Sequence, residues 1–149
     1  MVECLNAGFS AQFASELYSI YTGELIKYQP DYIILNLSFN DVDTDEYEFR
    51  ESLQNFIALN SENNIETIFS LEAASIETDT RKLQSKHMIM REIADENRVP
   101  VLDLHGHLAE YYDTGFLWWD AVHLTSYGHL LAGEFMAENV KIYISGSAE

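Results

Sequence analysis

Short apolar runs alternate along this chain with longer stretches whose apolar residues recur every three or four positions. That alternation predicts βα units and a parallel sheet. Val2 to Leu5 reads as a first strand, closed by the turn signal Asn6-Ala7-Gly8. Between about residue 10 and about residue 28, Phe13, Leu17, Ile20, Tyr21 and Leu25 fall on one helical face. Gln29-Pro30-Asp31 breaks that helix, and Tyr32-Ile33-Ile34-Leu35-Asn36-Leu37 is the clearest strand in the sequence. It is nearly all apolar, the pattern of a central strand covered on both faces.

After Ser38-Phe39-Asn40-Asp41 comes an acidic run through Asp43, Asp45, Glu46 and Glu48. Phe49, Leu53, Phe56 and Ile57 then supply an apolar face, so the acids fall in a helix's first turn, where its dipole favours them. Ile65 to Phe69 reads as a strand, about 79 to about 97 as a helix, and Val99 to Asp103 as a short strand. Residues 104–122 read as a long aromatic-rich loop, and Ser126 to about Tyr143 as the closing helix. The expectation is one α/β domain over 1–144, with four strands and four helices, and a frayed tail over 145–149. A doubly wound sheet offers its chemistry at the C-terminal ends of its strands. Gly8, Asn40, and the pair Asp120 and His123 follow the first, second and fourth predicted strands and so converge on that edge.

Composition narrows the classes of partner. The chain has 149 residues, 47% of them hydrophobic, and carries a net charge of −17. Such a balance argues against a nucleic-acid backbone or an anionic membrane surface, because phosphate binding needs clustered Lys and Arg. The single cysteine, Cys4, excludes an internal disulfide framework and suits a reducing compartment. No apolar run approaches the ~18 residues of a spanning helix. Met1-Val2-Glu3-Cys4 lacks the basic and apolar regions of a signal peptide. The expected location is therefore cytoplasmic, without a transmembrane segment.

The candidate chemistry centres on Trp119-Asp120-Ala121-Val122-His123-Leu124-Thr125. Asp120 and His123 could serve as orienting acid and general base, or could be a surface Asp and a half-buried His at a helix start. Asn40, directly after the best strand, could donate its amide to an oxyanion, with the Gly8 N–H beside it. It could equally belong to an ordinary polar turn and helix cap. Asp41 to Glu46 begins like a calcium loop but fails at position six, Glu46 in place of Gly, and at position twelve, Ser52 in place of Glu. His105, His107 and Asp103 are weak metal candidates, since no Cys/His spacing supports a zinc site. Tyr111, Tyr112, Phe116, Trp118 and Trp119 could line an acyl or sugar pocket, or pack the loop onto the core. No Gly-rich phosphate loop exists.

Asn6-Ala7-Gly8, then Ser38-Phe39-Asn40-Asp41 after an apolar strand, then Asp120-Ala121-Val122-His123-Leu124-Thr125 together resemble the SGNH hydrolases, also called GDSL-type esterases and lipases. The likeness runs from residue 2 to about residue 140 in the family's order. It implies a three-layer αβα, flavodoxin-like parallel sheet and ester hydrolysis through an acyl-serine, without a cofactor or metal. By resemblance His123 is the base, Asp120 its acid partner, and Asn40 and Gly8 the oxyanion donors. The implied substrates are acyl or acetyl esters of lipids, carbohydrates or small molecules.

Two departures stand out. Ser38 replaces the glycine that usually opens the Asn40 block. The family's Gly-Asp-Ser block, which carries the nucleophile on the first strand, has no counterpart among the five residues before Asn6. Neither Ser10 nor Ser38 matches the nucleophile position. The sequence therefore reads as an SGNH-type ester hydrolase lacking its nucleophile and inactive alone, or as a binding or assembly module that keeps the fold. Because the family's first strand is an interior one, the expected remedy is a second chain or exchanged strand in the gap, or this chain's first strand shifted next to its second.

Overall fold

The computed structural model describes residues 2–73, 79–120 and 123–146. Helix α1 (Ala14–Ile20) runs on through a π turn (Tyr21–Leu25) and a 3₁₀ turn (Ile26–Tyr28). Gln29 ends this stretch in the left-handed conformation, at φ 48°, just before Pro30. Then follow β1 (Tyr32–Leu37), α2 (Glu46–Glu62), β2 (Glu66–Leu71), α3 (Thr80–Asn97), β3 (Val101–Leu102), α4 (Leu104–Ala109) and α5 (Ser126–Gly146).

The three strands form a parallel sheet in the order β1-β2-β3. Strand geometry points alternate side chains to opposite faces. Leu35, Leu37, Phe69 and Leu71 face one way and join Phe49, Phe56, Ile89, Met90 and Ile93 of α2 and α3 in the main core. On the other face Ser70 donates its hydroxyl to the Met136 sulfur of α5, at 3.9 Å. Helices thus lie on both sides of the sheet, a three-layer αβα arrangement with a shortened sheet.

Four sequence expectations change. Val2 to Leu5 forms no strand, and its residues are exposed. The first strand therefore did not move next to the second. A four-residue run gains nothing from strand pairing unless its apolar side chains find a covered face. Second, Tyr32–Leu37 is an edge strand among the described residues, not a central one. Its Ile34 remains 38% exposed on the face away from the main core. Third, Glu46 and Glu48 do lie in the first turn of α2, but Asp43 precedes the helix and Asp45 caps it, its carboxylate accepting from the Tyr47 and Glu48 N–H groups. Fourth, the predicted loop begins with α4, nucleated by Asp103, whose carboxylate accepts from Gly106 N–H at 2.9 Å. The closing helix also reaches Gly146, into the expected tail, whose residues 147–149 lie outside the described residues.

The same local chemistry disposes of the calcium-like run. Asp41 turns inward, Asp43 pairs with Lys82, and Asp45 caps α2. The three carboxylates point to three separate tasks.

Candidate active site

The loop between α4 and α5 folds as a tight antiparallel return. Trp118 bridges Leu124, Trp119 N–H donates to the His123 carbonyl (2.7 Å), and Thr125 N–H donates to the Leu117 carbonyl (2.8 Å). Thr125 closes it: its hydroxyl donates to the Phe116 carbonyl (2.7 Å) and accepts from Gly128 N–H (3.1 Å), capping α5. Gly128 is required by space. A Cβ there would sit 2.6 Å from the Leu117 carbonyl oxygen. Leu117, Trp118, Leu104, Leu108 and Leu131 form a second core, joined by Ala73 just past β2. That contact seats the loop at the C-terminal end of the sheet.

Asp120 and His123 are brought together at the tip of this return. The Asp120 carboxylate accepts from His123 N–H (2.8 Å) and lies 2.9 and 3.0 Å from the ring Nδ1. An anion at Nδ1 selects the tautomer with the proton there. Nε2 then carries the lone pair, as a general base requires. Both side chains are open to solvent, 74% for His123 and 56% for Asp120. Ala121 and Val122, between them, lie outside the described residues.

The two expected oxyanion donors are placed but engaged elsewhere. Gly8 N–H donates to the Asn6 side-chain oxygen (3.0 Å), a local turn. Asn40, exposed at the end of β1, donates its amide to the Gln12 carbonyl (3.0 Å). Among the described residues, no hydrogen bond joins either donor to His123. The turn that carries Asn40 is held by Asp41 N–H donating to the Ser38 carbonyl (3.1 Å). Buried Asp41 ties it to α1, accepting from Ala14 N–H at 3.1 and 3.2 Å. Burial, the dominant influence, raises its carboxyl above the ordinary range despite that hydrogen bond.

Sequence reasoning missed a polar cluster under this turn. Ser38 has φ 140°, a conformation that glycine adopts freely and L side chains rarely do. A glycine, which the family resemblance implies at this position, would adopt that conformation without strain. Ser38 is 1% exposed, its hydroxyl 3.2 Å from His87 Nε2 and 3.4 Å from a Glu72 oxygen. Glu72, the first residue after β2, also accepts from Phe39 N–H (2.5 Å) and from the Asn36 amide (3.3 Å). Burial raises the Glu72 carboxyl to about 7, outweighing the hydrogen bonds from Phe39 and Ser38 that favour the anion. Burial lowers His87 to about 4, helped by the neighbouring His105. The only signal in the sequence was an acid directly following an apolar strand.

The metal candidates diverge. Asp103 pairs with Arg91 at 2.7 Å, His105 packs edge-on to His87, and His107 stacks on Phe135 with centroids 4.6 Å apart. No group of three potential ligands converges among the described residues. The aromatic run splits likewise: Leu117 and Trp118 are buried in the second core, whereas Phe116 and Trp119 stay exposed at 68% and 69%.

A parallel sheet packed between helices defines a three-layer αβα architecture, with the Asp120–His123 pair on the loop seated at the C-terminal end of the strands. The sequence matches the GDSL-like Lipase/Acylhydrolase family over residues 3–131, and the chain belongs to that family. No curated protein matches it. Solved structures share the fold. An acetyl xylan esterase, AlAXEase, superposes with a TM-score of 0.81 at 24% identity, over 90% of this chain and 79% of that one. A catalytic mutant of Axe2, an acetylxylan esterase from Geobacillus stearothermophilus, gives 0.77 at 20% identity, over 90% and 70%. The lipase/acylhydrolase from Enterococcus faecalis gives 0.76 at 20% identity, over 88% and 71%. Among the described residues, no helix is long and apolar enough to cross a membrane.

Proposed function

We propose that this chain carries the base and oxyanion side of a serine ester hydrolase acting on acyl or acetyl esters. The observation that supports it most is the double hold of Asp120 on His123, at the backbone N–H and at ring Nδ1. Two Axe2 catalytic mutants among the similar structures replace an aspartate and a histidine three positions apart, the spacing of Asp120 and His123.

The chemistry follows from these groups. A serine hydroxyl attacks the ester carbonyl as its proton passes to His123 Nε2, and Asp120 stabilises the imidazolium. The carbonyl oxygen becomes an oxyanion, which the Asn40 amide and Gly8 N–H receive. The imidazolium then protonates the departing alcohol, and water, deprotonated by the same imidazole, releases the acid. Gly8 N–H must exchange Asn6 for the oxyanion, whereas Asn40 has a second amide proton beyond the one given to Gln12.

In this reading neither Ser10 nor Ser38 is the nucleophile. Ser10 is exposed in the N-terminal segment, and the Ser38 hydroxyl is buried against Glu72 and His87. The chain alone is therefore inactive, and a Gly-Asp-Ser strand placed beside β1 supplies the serine. A second chain or an exchanged strand could also complete the sheet, since β1 lies at its edge among the described residues. The test compares 4-nitrophenyl acetate hydrolysis and phosphonate labelling by the chain with those of a version extended by a Gly-Asp-Ser segment. Activity and labelling confined to the extended protein support the reading. No activity in either defeats it and favours a binding module that retains the fold.

A further inference from the structure

The Glu72 carboxylate has no part in the proton transfers above, yet it accepts three hydrogen bonds at the end of the sheet. It reaches from the end of β2 across to β1 and takes hydrogen bonds from Asn36, Ser38 and Phe39. These residues run from the end of β1 into the turn that carries Asn40. Ser38 occupies a left-handed conformation that costs a side-chain-bearing residue on the order of 1–3 kcal/mol, so something must hold it there. The Glu72 carboxylate and His87 are the groups that bind its hydroxyl. We propose that Glu72 is a positioning residue, whose carboxylate fixes the Ser38-Phe39-Asn40 turn and thereby aims the Asn40 amide at the oxyanion. This rests on the ester-hydrolase reading for its functional meaning, but its structural content stands apart from it.

The surroundings make the hold sensitive to protonation. Facing Glu72 are the Asp41 carboxylate from the same turn and His87 from α3, with His105 of α4 behind His87. Arg91 of α3 and Asp103 pair with each other and influence His87, not Glu72 directly. An ionised Glu72 accepts from Phe39 and Ser38 at full strength; a protonated one loses charge-assisted bonding to the turn. Because burial has raised its carboxyl to about 7, that change falls near neutrality, well separated from His87 at about 4.

Two-dimensional NMR of the whole chain tests the proposal without any activity. Between pH 5 and 9 the Phe39 backbone amide and the Asn40 side-chain amide are expected to move together with one midpoint near 7. Glu72→Gln should abolish that midpoint for both, and His87→Gln should leave it in place. A Phe39 shift that titrates while the Asn40 amide stays still, or a midpoint that survives Glu72→Gln, overturns the proposal. Glu72→Gln keeps size and an acceptor, so circular dichroism of this variant guards against misfolding. In the protein extended by the Gly-Asp-Ser segment, Glu72→Gln should lower kcat about tenfold with KM within about twofold, as for a misaimed donor. An extended protein without esterase activity defeats the hydrolase reading, while the NMR titration still decides whether Glu72 positions Asn40.

Discussion

Asp120 binds His123 at two places, accepting from the backbone N–H at 2.8 Å and from ring Nδ1 at 2.9 Å. One contact fixes the chain and the other fixes the ring, so imidazole orientation and loop shape are a single property. Asp120→Asn keeps an acceptor for the backbone N–H but offers an amide where the ring needs a full anion. Ring-nitrogen NMR should show His123 mainly as the Nδ1–H tautomer in the parent and as a mixture in Asp120→Asn. With the serine segment restored, the substitution should lower kcat by about 10³- to 10⁴-fold, the scale for a wrongly held tautomer. An unchanged tautomer and rate would remove Asp120 from the site.

Thr125 locks the return that presents this pair. Thr125→Val keeps the volume but loses the bond to the Phe116 carbonyl and the cap on Gly128 N–H. Urea unfolding should show a loss of about 1–2 kcal/mol, the scale of a lost N-cap. Thr125→Ser, which keeps the hydroxyl, should recover most of it.

Ser38 combines an unfavourable backbone with favourable side-chain bonds. Ser38→Gly removes both, and Ser38→Ala removes only the bonds. Ser38→Ala should therefore be less stable than Ser38→Gly by about 1–2 kcal/mol, as measured by thermal or urea unfolding. If alanine is the better substitute, the left-handed backbone at this position is not a source of strain.

Glu72 and His87 should drive stability in opposite directions as pH changes. His87, lowered from 6.5 to about 4, contributes fully above 6.5 and loses its contribution as pH falls through the window to 4. Glu72, raised from 4.5 to about 7, contributes fully below 4.5 and loses its contribution as pH rises through about 7. At about 1.4 kcal/mol per unit, each shift sets a ceiling of about 3 kcal/mol. Unfolding free energies from pH 4 to 8 should show Glu72→Gln gaining stability over the parent with rising pH. His87→Gln should close its deficit against the parent as pH falls. Parallel curves for parent and variants would show that neither group titrates across that range.

Local pattern was sufficient for much of the fold. Tyr32–Leu37 lies where its apolar run placed it, and the helices at 80–97 and 126–146 follow their apolar periodicity closely. Where expectations failed, one of several nearby acids had taken a cap, a contact came from far along the chain, or a neighbour was lacking. Val2 to Leu5 has strand composition, but composition cannot show whether a covered face exists for it. Asp45 and Asp103 moved helix starts through caps that compete with several equally plausible acids nearby. The Asp120–His123 pair was legible because three residues of backbone hold it together. Glu72 was not, because its partners lie 33 to 36 positions away.

Sequence alone determined the parallel α/β character and the nearness of Asp120 to His123, and it singled out Asn40 and Gly8 as candidate donors. Those features depend on local periodicity and on residues near one another in the chain. Tertiary structure alone decided that β1 lies at a sheet edge among the described residues and that Gly8 and Asn40 are bonded to Asn6 and Gln12. It also placed a buried carboxylate under the Asn40 turn. These follow from strand order and desolvation, which arise only when distant segments share one interior.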